Sequence, residues 1–228
     1  MKALPPIISW HWVGQVVCGA ASIVAAAWLL GPTIRTFLQS SAVLDADRIV
    51  AASLHAAASP SLTEFMVWIS WAQGTAGILV LTAIAAGAMW RSSRQFSLPV
   101  VMATVPGGML LNVAVKHAVQ RQRPDWGYAL QALDTYSFPS GHTAGAMLFY
   151  GIFVAWLWPC VRRPEARIAL LITAILMVLL VAASRIVLGV HFMTDCIAAV
   201  IEAGAWLAIC LFSAPRAAVS SSTRVGEP

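Results

Sequence analysis

The segment 168–195, "IALLITAILMVLLVAASRIVLGVHFMTD", places an arginine, a histidine and an aspartate directly after a nearly unbroken apolar run. A helix needs roughly 20 apolar residues to cross the hydrocarbon core of a bilayer. Charged side chains beside such a run are costly, so they need a partner, a ligand or a catalytic task. The segment therefore predicts a membrane helix that ends at a functional site and is followed by another apolar helix.

The composition of the whole chain agrees with a polytopic membrane protein. Of its 228 residues, 60% are hydrophobic and only 10% are charged, and the mean hydropathy is +0.80, whereas soluble domains carry about 25% charged residues. The net charge of +5 indicates cytoplasmic loops rather than a nucleic-acid partner. The four cysteines form no Cys-x-x-Cys pair, so we interpret them as small apolar residues.

Six apolar stretches are long enough to predict an all-α bundle of six transmembrane helices. They occupy residues 11–31, 62–90, 97–116, 141–160, 167–184 and 191–213. The connection 32–61 has apolar residues at helical spacing, which predicts an interfacial or re-entrant helix, with a plain loop as the alternative. We assign residues 1–213 to a single membrane domain and 214–228 to a disordered cytoplasmic tail.

The basic residues predict the orientation of this bundle. An even number of spans puts both termini on one side, together with eight of the lysines and arginines, against six on the other side. Three of those six, Lys116, Arg123 and Arg185, belong to a candidate site, which leaves eight against three. The positive-inside rule then places both termini in the cytoplasm and the candidate site on the periplasmic or exterior face.

Three polar segments at ends of apolar spans fall on that same face. They are "KHAVQRQRP" at 116–124, "PSGH" at 139–142 and "SRIVLGVHFMTD" at 184–195. If the bundle closes, three cations meet two histidines in one pocket with no obvious protein anion. Arginine binds phosphate through a planar fork, so the cluster predicts a bound phosphate. Taken singly, each basic residue could be an interface anchor, but that reading requires five polar groups to converge by coincidence.

Helix geometry suggests a role for each side chain. His191 and Asp195 are four residues apart, so a carboxylate can hold one imidazole nitrogen and leave the other bare as a nucleophile. Ser140 is a candidate N-cap, and the free amides of a helix start favour an anion. His142 lies in that first turn, where it could protonate a leaving group. Glu202, inside the sixth span, has no role that the sequence explains.

These motifs resemble those of the type 2 phosphatidic acid phosphatase superfamily of membrane lipid phosphatases. The family signatures are a lysine, six residues and Arg-Pro; then Pro-Ser-Gly-His; then Ser-Arg, five residues, a histidine, three residues and an aspartate. They stand here as Lys116 to Arg123-Pro124, as Pro139 to His142, and as Ser184-Arg185, His191 and Asp195. No signature position departs from the pattern, and the motifs span residues 116–195.

The resemblance implies metal-independent hydrolysis of a lipid phosphate through a phosphohistidine, without a cofactor. His191 would be the nucleophile, Asp195 would orient it, and His142 would act first as acid and then as base. The phosphate oxygens would be held by five residues: Lys116, Arg123, Ser140, Gly141 and Arg185. We treat His11, His55 and His117 as structural.

Several alternatives stay open from sequence alone. A lipid phosphotransferase could use the same phosphohistidine, and a transporter or proton relay could also keep histidine and arginine inside a bundle. The substrate could be phosphatidic acid, phosphatidylglycerol phosphate, undecaprenyl diphosphate or a lipid A phosphate. The predicted partners are this substrate and membrane lipids, with no obligate protein partner and no nucleic acid. The predicted location is the bacterial inner membrane.

Overall fold

The computed structural model describes residues 9–91, 98–125 and 135–213, and within these ranges it is all-helical. The predicted tail at 214–228 lies outside the described residues. The described ranges form nine α-helices, in chain order: α1 Trp10–Leu38, α2 Ser41–Ala57, α3 Pro60–Ala72, α4 Thr75–Arg91, α5 Leu98–Met102, α6 Gly108–Val119, α7 Gly141–Leu157, α8 Pro164–Val187 and α9 Met193–Phe212. A π-helical turn, Ala103–Gly107, joins α5 to α6.

Four described helical segments are long and apolar enough to cross a membrane. They are α1, the continuous segment Leu98–Val119, α8 and α9. The pair α3 and α4 would make a fifth span if the two helices count as one, although they are bent by 56°. Helix α7 is apolar but has only 17 residues. Helices therefore occupy all six predicted stretches, and the stretch 62–90 is divided into two helices with a bend between them.

The connection 32–61 contains the helix that the sequence predicted there. Helix α2 packs at the end of α8, where Ala51 contacts Ile186 and Cys196. Its polar face is not entirely exposed, because Asp47 is fully buried. Helix α2 is therefore attached to the bundle by both apolar packing and a buried charge.

Pro106 is the cause of the irregular turn between α5 and α6. Proline has no backbone N–H, so a helix that contains it loses a hydrogen bond, and the chain here forms a π-helical turn. The indole of Trp206 donates hydrogen bonds to the carbonyls of Ala103 and Thr104, at 3.0 and 3.2 Å. A partner from α9 therefore satisfies carbonyl groups that a membrane could not solvate.

Helix α7 occupies the centre of the bundle and packs against α4, α6, α8 and α9. Its first turns are built from small buried residues, Thr143, Ala144, Gly145 and Ala146, which allow the neighbouring helices to approach closely. Deeper along α7, Leu148 and Ile152 enter the largest apolar core together with residues of α4, α5 and α9.

Contacts between helix ends show how the chain runs through the bundle. The end of α6, the start of α7, the end of α8 and the start of α9 meet at one end of the bundle, called here the site end. At the opposite end, the indole of Trp12 in α1 donates to the carbonyl of Cys210 in α9, at 3.4 Å. The first and last described helices therefore begin and end together, away from the site end.

Candidate active site

Six of the eight predicted site residues line one cavity of about 700 Å³ at the site end. They come from three helices and two connections: Lys116, Arg123, Gly141, His142, Arg185 and His191. The other two, Ser140 and Asp195, are fully buried and do not line the cavity. The convergence expected from the three sequence segments is therefore present, and the individual chemical roles stay predictions.

His191 is positioned by the short turn that joins α8 to α9. Gly189 reverses the chain with φ of 72°, a conformation that favours glycine. The backbone N–H groups of Val190 and His191 both donate to the carbonyl of Arg185, at 3.1 and 3.3 Å. The turn thus ties the backbone of the predicted nucleophile to that of a predicted phosphate ligand.

The imidazole of His191 lies between a carboxylate and a guanidinium. Its Nδ1 is 3.4 Å from Oδ2 of Asp195, and its Nε2 is 3.2 Å from Nη1 of Arg123. These partners assign the proton to Nδ1, which donates to Asp195, and leave a lone pair on Nε2. Asp195 Oδ2 also accepts the N–H of Phe192, at 2.9 Å, which fixes the carboxylate at the start of α9.

Burial keeps His191 neutral. Loss of solvation lowers the pKa of His191 from 6.5 to about 4, and the charges of Lys116 and Arg123 act in the same direction. The hydrogen bond and negative charge of Asp195 oppose this shift but do not cancel it. At neutral pH the imidazole therefore carries the unprotonated nitrogen that a nucleophile needs.

The guanidinium of Arg123 is held by oxygen atoms of neighbouring residues. Its guanidinium donates to the carbonyls of Thr135 and Val190, at 2.7 and 2.8 Å, and to the Thr135 hydroxyl at 2.9 Å. Burial lowers the pKa of Arg123 from its ordinary value, while the charge of Asp195 raises it. The planar fork is thus preorganised beside His191, with its charge close to where a phosphate would lie.

Lys116 and Arg185 complete the cationic wall from α6 and α8. The ammonium of Lys116 donates to the carbonyls of Tyr136, Ser137 and Pro139. The guanidinium of Arg185 donates to the Ser70 hydroxyl of α3. Both cations are buried, and these neutral oxygen atoms fix their positions without cancelling the positive charge that a phosphate would meet.

His142 lines the same cavity from the first turn of α7, next to the break between α3 and α4. A Cβ atom added at Gly74 would lie 3.4 Å from His142 Nε2. Thr75, the first residue of α4, lines the cavity beside it. Because of the 56° bend, the start of α4 forms one wall of the cavity. The sequence did not predict this contribution.

Ser140 is at the N-cap position of α7, as the sequence predicted, but its side chain does not cap the helix. Its hydroxyl accepts a hydrogen bond from Thr143, at 3.0 Å, and makes no capping bond to the backbone of α7. Its backbone N–H donates to the carbonyl of Asp195, at 3.0 Å. Ser140 thus joins α7 to α9 behind the cavity, while the neighbouring Gly141 faces the cavity.

Two groups of polar residues were missed or left unexplained by the sequence. Asp47 and Arg121 form a buried ionic cluster with Asp195, described below. Asn112, which lines the cavity, donates its amide to Glu202 at 2.8 Å, so the unexplained carboxylate has a partner on α6. His117, treated as structural, also lines the cavity, and its ring meets Tyr136 edge to face.

Carboxylates are scattered around the site rather than clustered. Within residues 9–91, 98–125 and 135–213, no group of three or more histidine, cysteine, aspartate or glutamate side chains could hold a metal ion. The cavity therefore presents cations and imidazoles to a substrate, and metal independence stays a prediction for experiment.

Known proteins resemble this chain in sequence and in fold. The sequence model of the PAP2 superfamily matches residues 94–217. Phosphatidylglycerophosphatase B of Bacillus subtilis (strain 168) is 27% identical over 161 residues, which cover 69% of this chain and 78% of that protein.

A solved structure resembles this chain in fold. It is described as the crystal structure of the first transmembrane PAP2 type phosphatidylglycerolphosphate phosphatase from Bacillus subtilis. It is 24% identical, covers 90% of this chain and 94% of its own, and superposes with a TM-score of 0.66. Because the superfamily model spans more than half of the sequence and every candidate site residue, the chain belongs to the PAP2 superfamily.

Proposed function

We propose that the chain is an integral-membrane lipid phosphate phosphatase that works through a phosphohistidine on His191. The observation that carries the proposal is the approach of Arg123 Nη1 to within 3.2 Å of His191 Nε2, in a cavity that Lys116 and Arg185 also line. A nucleophile that lies against a phosphate-binding fork suits phosphoryl transfer. The resemblance to phosphatidylglycerophosphatase B supports the same class of reaction.

Substrate binding would exchange neutral partners for an anionic one. Arg123 and Lys116 donate to carbonyl oxygens of residues 135–139 and to Val190, and a phosphate oxygen is a stronger acceptor than a carbonyl. With Arg185 they would surround the three non-bridging oxygens and stabilise the charge of the transition state. The Gly141 amide, at the start of α7, would add a neutral donor.

In the first step, the Nε2 lone pair of His191 forms a bond to phosphorus. The bond between phosphorus and the lipid oxygen breaks, and that oxygen takes a proton from His142. Asp195 accepts the Nδ1–H of His191 and stabilises the positive charge that develops on the ring. His142 faces three cations in the free site, and a bound phosphate dianion would reverse that field and favour the protonated acid.

In the second step, a water molecule attacks phosphorus and gives its proton to His142. The phosphorus–nitrogen bond breaks, its electron pair returns to His191, and inorganic phosphate leaves. The net reaction consumes one water and releases phosphate and a lipid alcohol. An acceptor lipid in place of water would give the phosphotransferase reaction by the same route.

The shape of the cavity supports a lipid substrate. Leu79, Met109, Leu110 and Val113 line its apolar side, while the charged residues gather at the site end of the helices. A phosphate could therefore bind near the membrane surface while its tails stay in the bilayer. We place the enzyme in a bacterial inner membrane with six crossings and its site facing outward, and we choose phosphatidylglycerol phosphate as the first lipid to test.

A phosphate-release assay tests this function. The purified protein is incubated in mixed micelles with phosphatidylglycerol phosphate, phosphatidic acid, undecaprenyl diphosphate or a lipid A phosphate, each with and without an acceptor lipid. We expect free phosphate from at least one lipid and none from His191→Ala. If folded protein, as judged by a normal unfolding temperature, releases phosphate from none of these lipids, hydrolysis is rejected. If a phosphorylated acceptor lipid forms while no free phosphate is released, the protein is a transferase.

A further inference from the structure

A buried ionic cluster lies directly behind the candidate nucleophile and joins Asp195 to Asp47 and Arg121, two residues to which the sequence motifs assign no role. Nη1 of Arg121 is 2.7 Å from Oδ1 of Asp195, and Nη2 is 2.9 Å from Oδ2 of Asp47. The Thr194 hydroxyl donates to Asp47 Oδ2 and accepts from Arg121 Nη1, both at 2.7 Å. Asp47, Arg121 and Asp195 are at most 1% exposed, so solvent does not screen the three charges.

The cluster joins four separate parts of the chain. Asp47 belongs to α2, Arg121 to the connection after α6, and Thr194 and Asp195 to the start of α9. Arg121 also donates to the carbonyl of Leu38 at the end of α1, at 3.2 Å. The Thr194 N–H donates to Asp47 Oδ1, at 3.0 Å. Helix α2 is thereby fixed to the residue that contacts His191.

Each oxygen of Asp195 has a distinct set of partners. Oδ1 accepts from Arg121, whereas Oδ2 accepts from the Phe192 N–H and faces His191 Nδ1. By binding Oδ1, Arg121 fixes the orientation of the Asp195 carboxylate in which Oδ2 faces the imidazole of His191. The Phe192 ring lies 3.9 Å below the guanidinium and limits its movement.

The charges of the cluster have opposite effects on His191. Arg121 alone would neutralise Asp195 and weaken its ability to stabilise positive charge on the imidazole. Asp47 compensates Arg121, so the three charged side chains together keep one net negative charge. The other charged or titratable groups facing His191 are Lys116 on α6, Arg123 after α6, His142 on α7 and Arg185 on α8.

We propose that Asp47 and Arg121 are positioning residues that orient Asp195 and keep it negatively charged toward His191. Through this cluster, helix α2 sets the basicity of the nucleophile without touching the substrate. The inference rests on the proposed function in assigning nucleophilic attack to His191, while its electrostatic content concerns the imidazole alone and can be measured without turnover.

The test compares Asp47→Asn, Arg121→Gln and the double variant in the full-length protein. Histidine-labelled NMR in detergent micelles follows the titration of His191, whose signal is assigned by its loss in His191→Gln. Removing the Asp47 carboxylate should lower the pKa of His191, and removing the Arg121 cation should raise it. The double variant restores the net charge, so its pKa should return toward the wild-type value.

Kinetics supply the second readout. Asp47→Asn and Arg121→Gln should lower kcat by about 10- to 100-fold, with KM changed less than threefold because the phosphate ligands remain. The matched control is Asp45→Asn on the same helix, where Asp45 and Arg48 form an exposed ion pair; we expect it to change neither the titration nor kcat. Identical titration of His191 in all variants, or an unchanged kcat in folded Asp47→Asn, would overturn the inference.

Unpairing a buried charge destabilises a protein, so a variant that preserves all charges is also needed. Thr194→Val removes two hydrogen bonds of the cluster and should lower kcat about 3- to 10-fold while the pKa of His191 stays in place. A normal kcat in Thr194→Val would contradict the positioning role. The wild-type protein could hydrolyse no lipid phosphate while the variants still show the expected shifts of the His191 pKa. That result would reject the proposed function and leave the electrostatic inference standing.

Discussion

At the scale of single residues, His191 shows how burial prepares a nucleophile. An exposed histidine is partly protonated near neutral pH, whereas burial lowers the pKa of His191 to about 4. The unfolded chain therefore binds more protons than the folded chain between about pH 6.5 and 4. Acidification through that window removes stability, and at neutral pH the reactive neutral form is already present.

The two histidines of the site should respond differently to the leaving group of the substrate. A lipid alkoxide needs protonation, whereas nitrophenolate leaves without help. We expect His142→Ala to release a burst of about one equivalent of nitrophenol per site from nitrophenyl phosphate and then to stall, since no base activates water. General acid–base catalysis is typically worth about 10² to 10⁴ in rate. Rapid-mixing kinetics measures the burst.

His191→Ala provides the comparison for this experiment. It should give no burst with either nitrophenyl phosphate or a lipid phosphate, and no acid-labile, base-stable phosphoprotein should be trapped. A burst from His191→Ala would exclude it as the nucleophile. Normal steady turnover in His142→Ala would exclude the acid–base role.

Arg123 should depend on the shape of its guanidinium as much as on its charge. Arg123→Lys keeps one positive charge but cannot hold Thr135, Val190 and a phosphate with a planar fork. We expect kcat to fall about 10²-fold, the usual effect of losing a preorganised donor to the transition state. Arg48→Lys, at an exposed position, is the control, and a wild-type kcat in Arg123→Lys would remove this residue from the phosphate site.

The three cationic side chains of the cavity predict how activity responds to metal chelators. Lys116, Arg123 and Arg185 can stabilise a phosphate without a divalent cation, so activity should survive EDTA, and vanadate, which resembles phosphate at its transition state, should inhibit. The assay is phosphate release after dialysis against EDTA. Lost activity that magnesium restores would contradict the prediction.

At the scale of elements, the bent pair α3 and α4 shows a limit of sequence patterns. Residues 62–90 are apolar nearly throughout and contain no proline, so hydropathy predicts one span. The break falls at Gln73 and Gly74, where Gly74 leaves room for His142. The break thus lies beside a residue far along the chain, a proximity that a local pattern cannot reveal.

Close packing between α1 and α6 depends on Gly31. A Cβ at this position would lie 2.6 Å from the carbonyl oxygen of Ala118, which belongs to a helix backbone and cannot rotate away. Gly31→Ala should therefore separate the helices and lower the free energy of unfolding by ~1–3 kcal/mol, the usual effect of overpacking. Thermal unfolding in detergent, followed by tryptophan fluorescence, measures the change.

The same helix contains a matched control. A Cβ atom added at Gly14 would have no neighbouring atom within 4 Å, and alanine in a helix is favoured over glycine by about 0.5–1 kcal/mol. Gly14→Ala should therefore leave the unfolding temperature unchanged or raise it. An equal loss in both variants would show that the α1–α6 contact is not the cause.

At the scale of the whole molecule, local motifs predicted the residues that line the cavity better than the residue pairs that hold them in position. The motifs predicted that Lys116, Arg123, His142, Arg185 and His191 would meet, and these residues line one cavity, while their chemical roles stay predictions. Sequence patterns did not identify the supporting pairs, because those pairs join distant parts of the chain. Asp47 and Arg121 are 74 residues apart, and Asn112 and Glu202 are 90 apart.

The buried position of Arg121 also sharpens the prediction of topology. Arg121 is paired with Asp47 and Asp195, so it is not a free loop charge. Of the three basic residues that the sequence analysis counted on the outer side, Arg35 and Arg48 then remain, against the eight that it assigned to the side of the termini. This asymmetry favours cytoplasmic termini more strongly than the count from sequence did.

Thiol labelling of intact cells tests this orientation. In a background without the four native cysteines, Asp125→Cys introduces an exposed thiol at the site end, and Glu165→Cys introduces one at the start of α8, at the opposite end. We expect a membrane-impermeant maleimide to label Asp125→Cys in intact cells and Glu165→Cys only after the membrane is permeabilised. Because both positions are exposed, a difference in labelling reports the side of the membrane rather than burial. Labelling of Glu165→Cys alone in intact cells would invert the bundle and put the phosphate site in the cytoplasm.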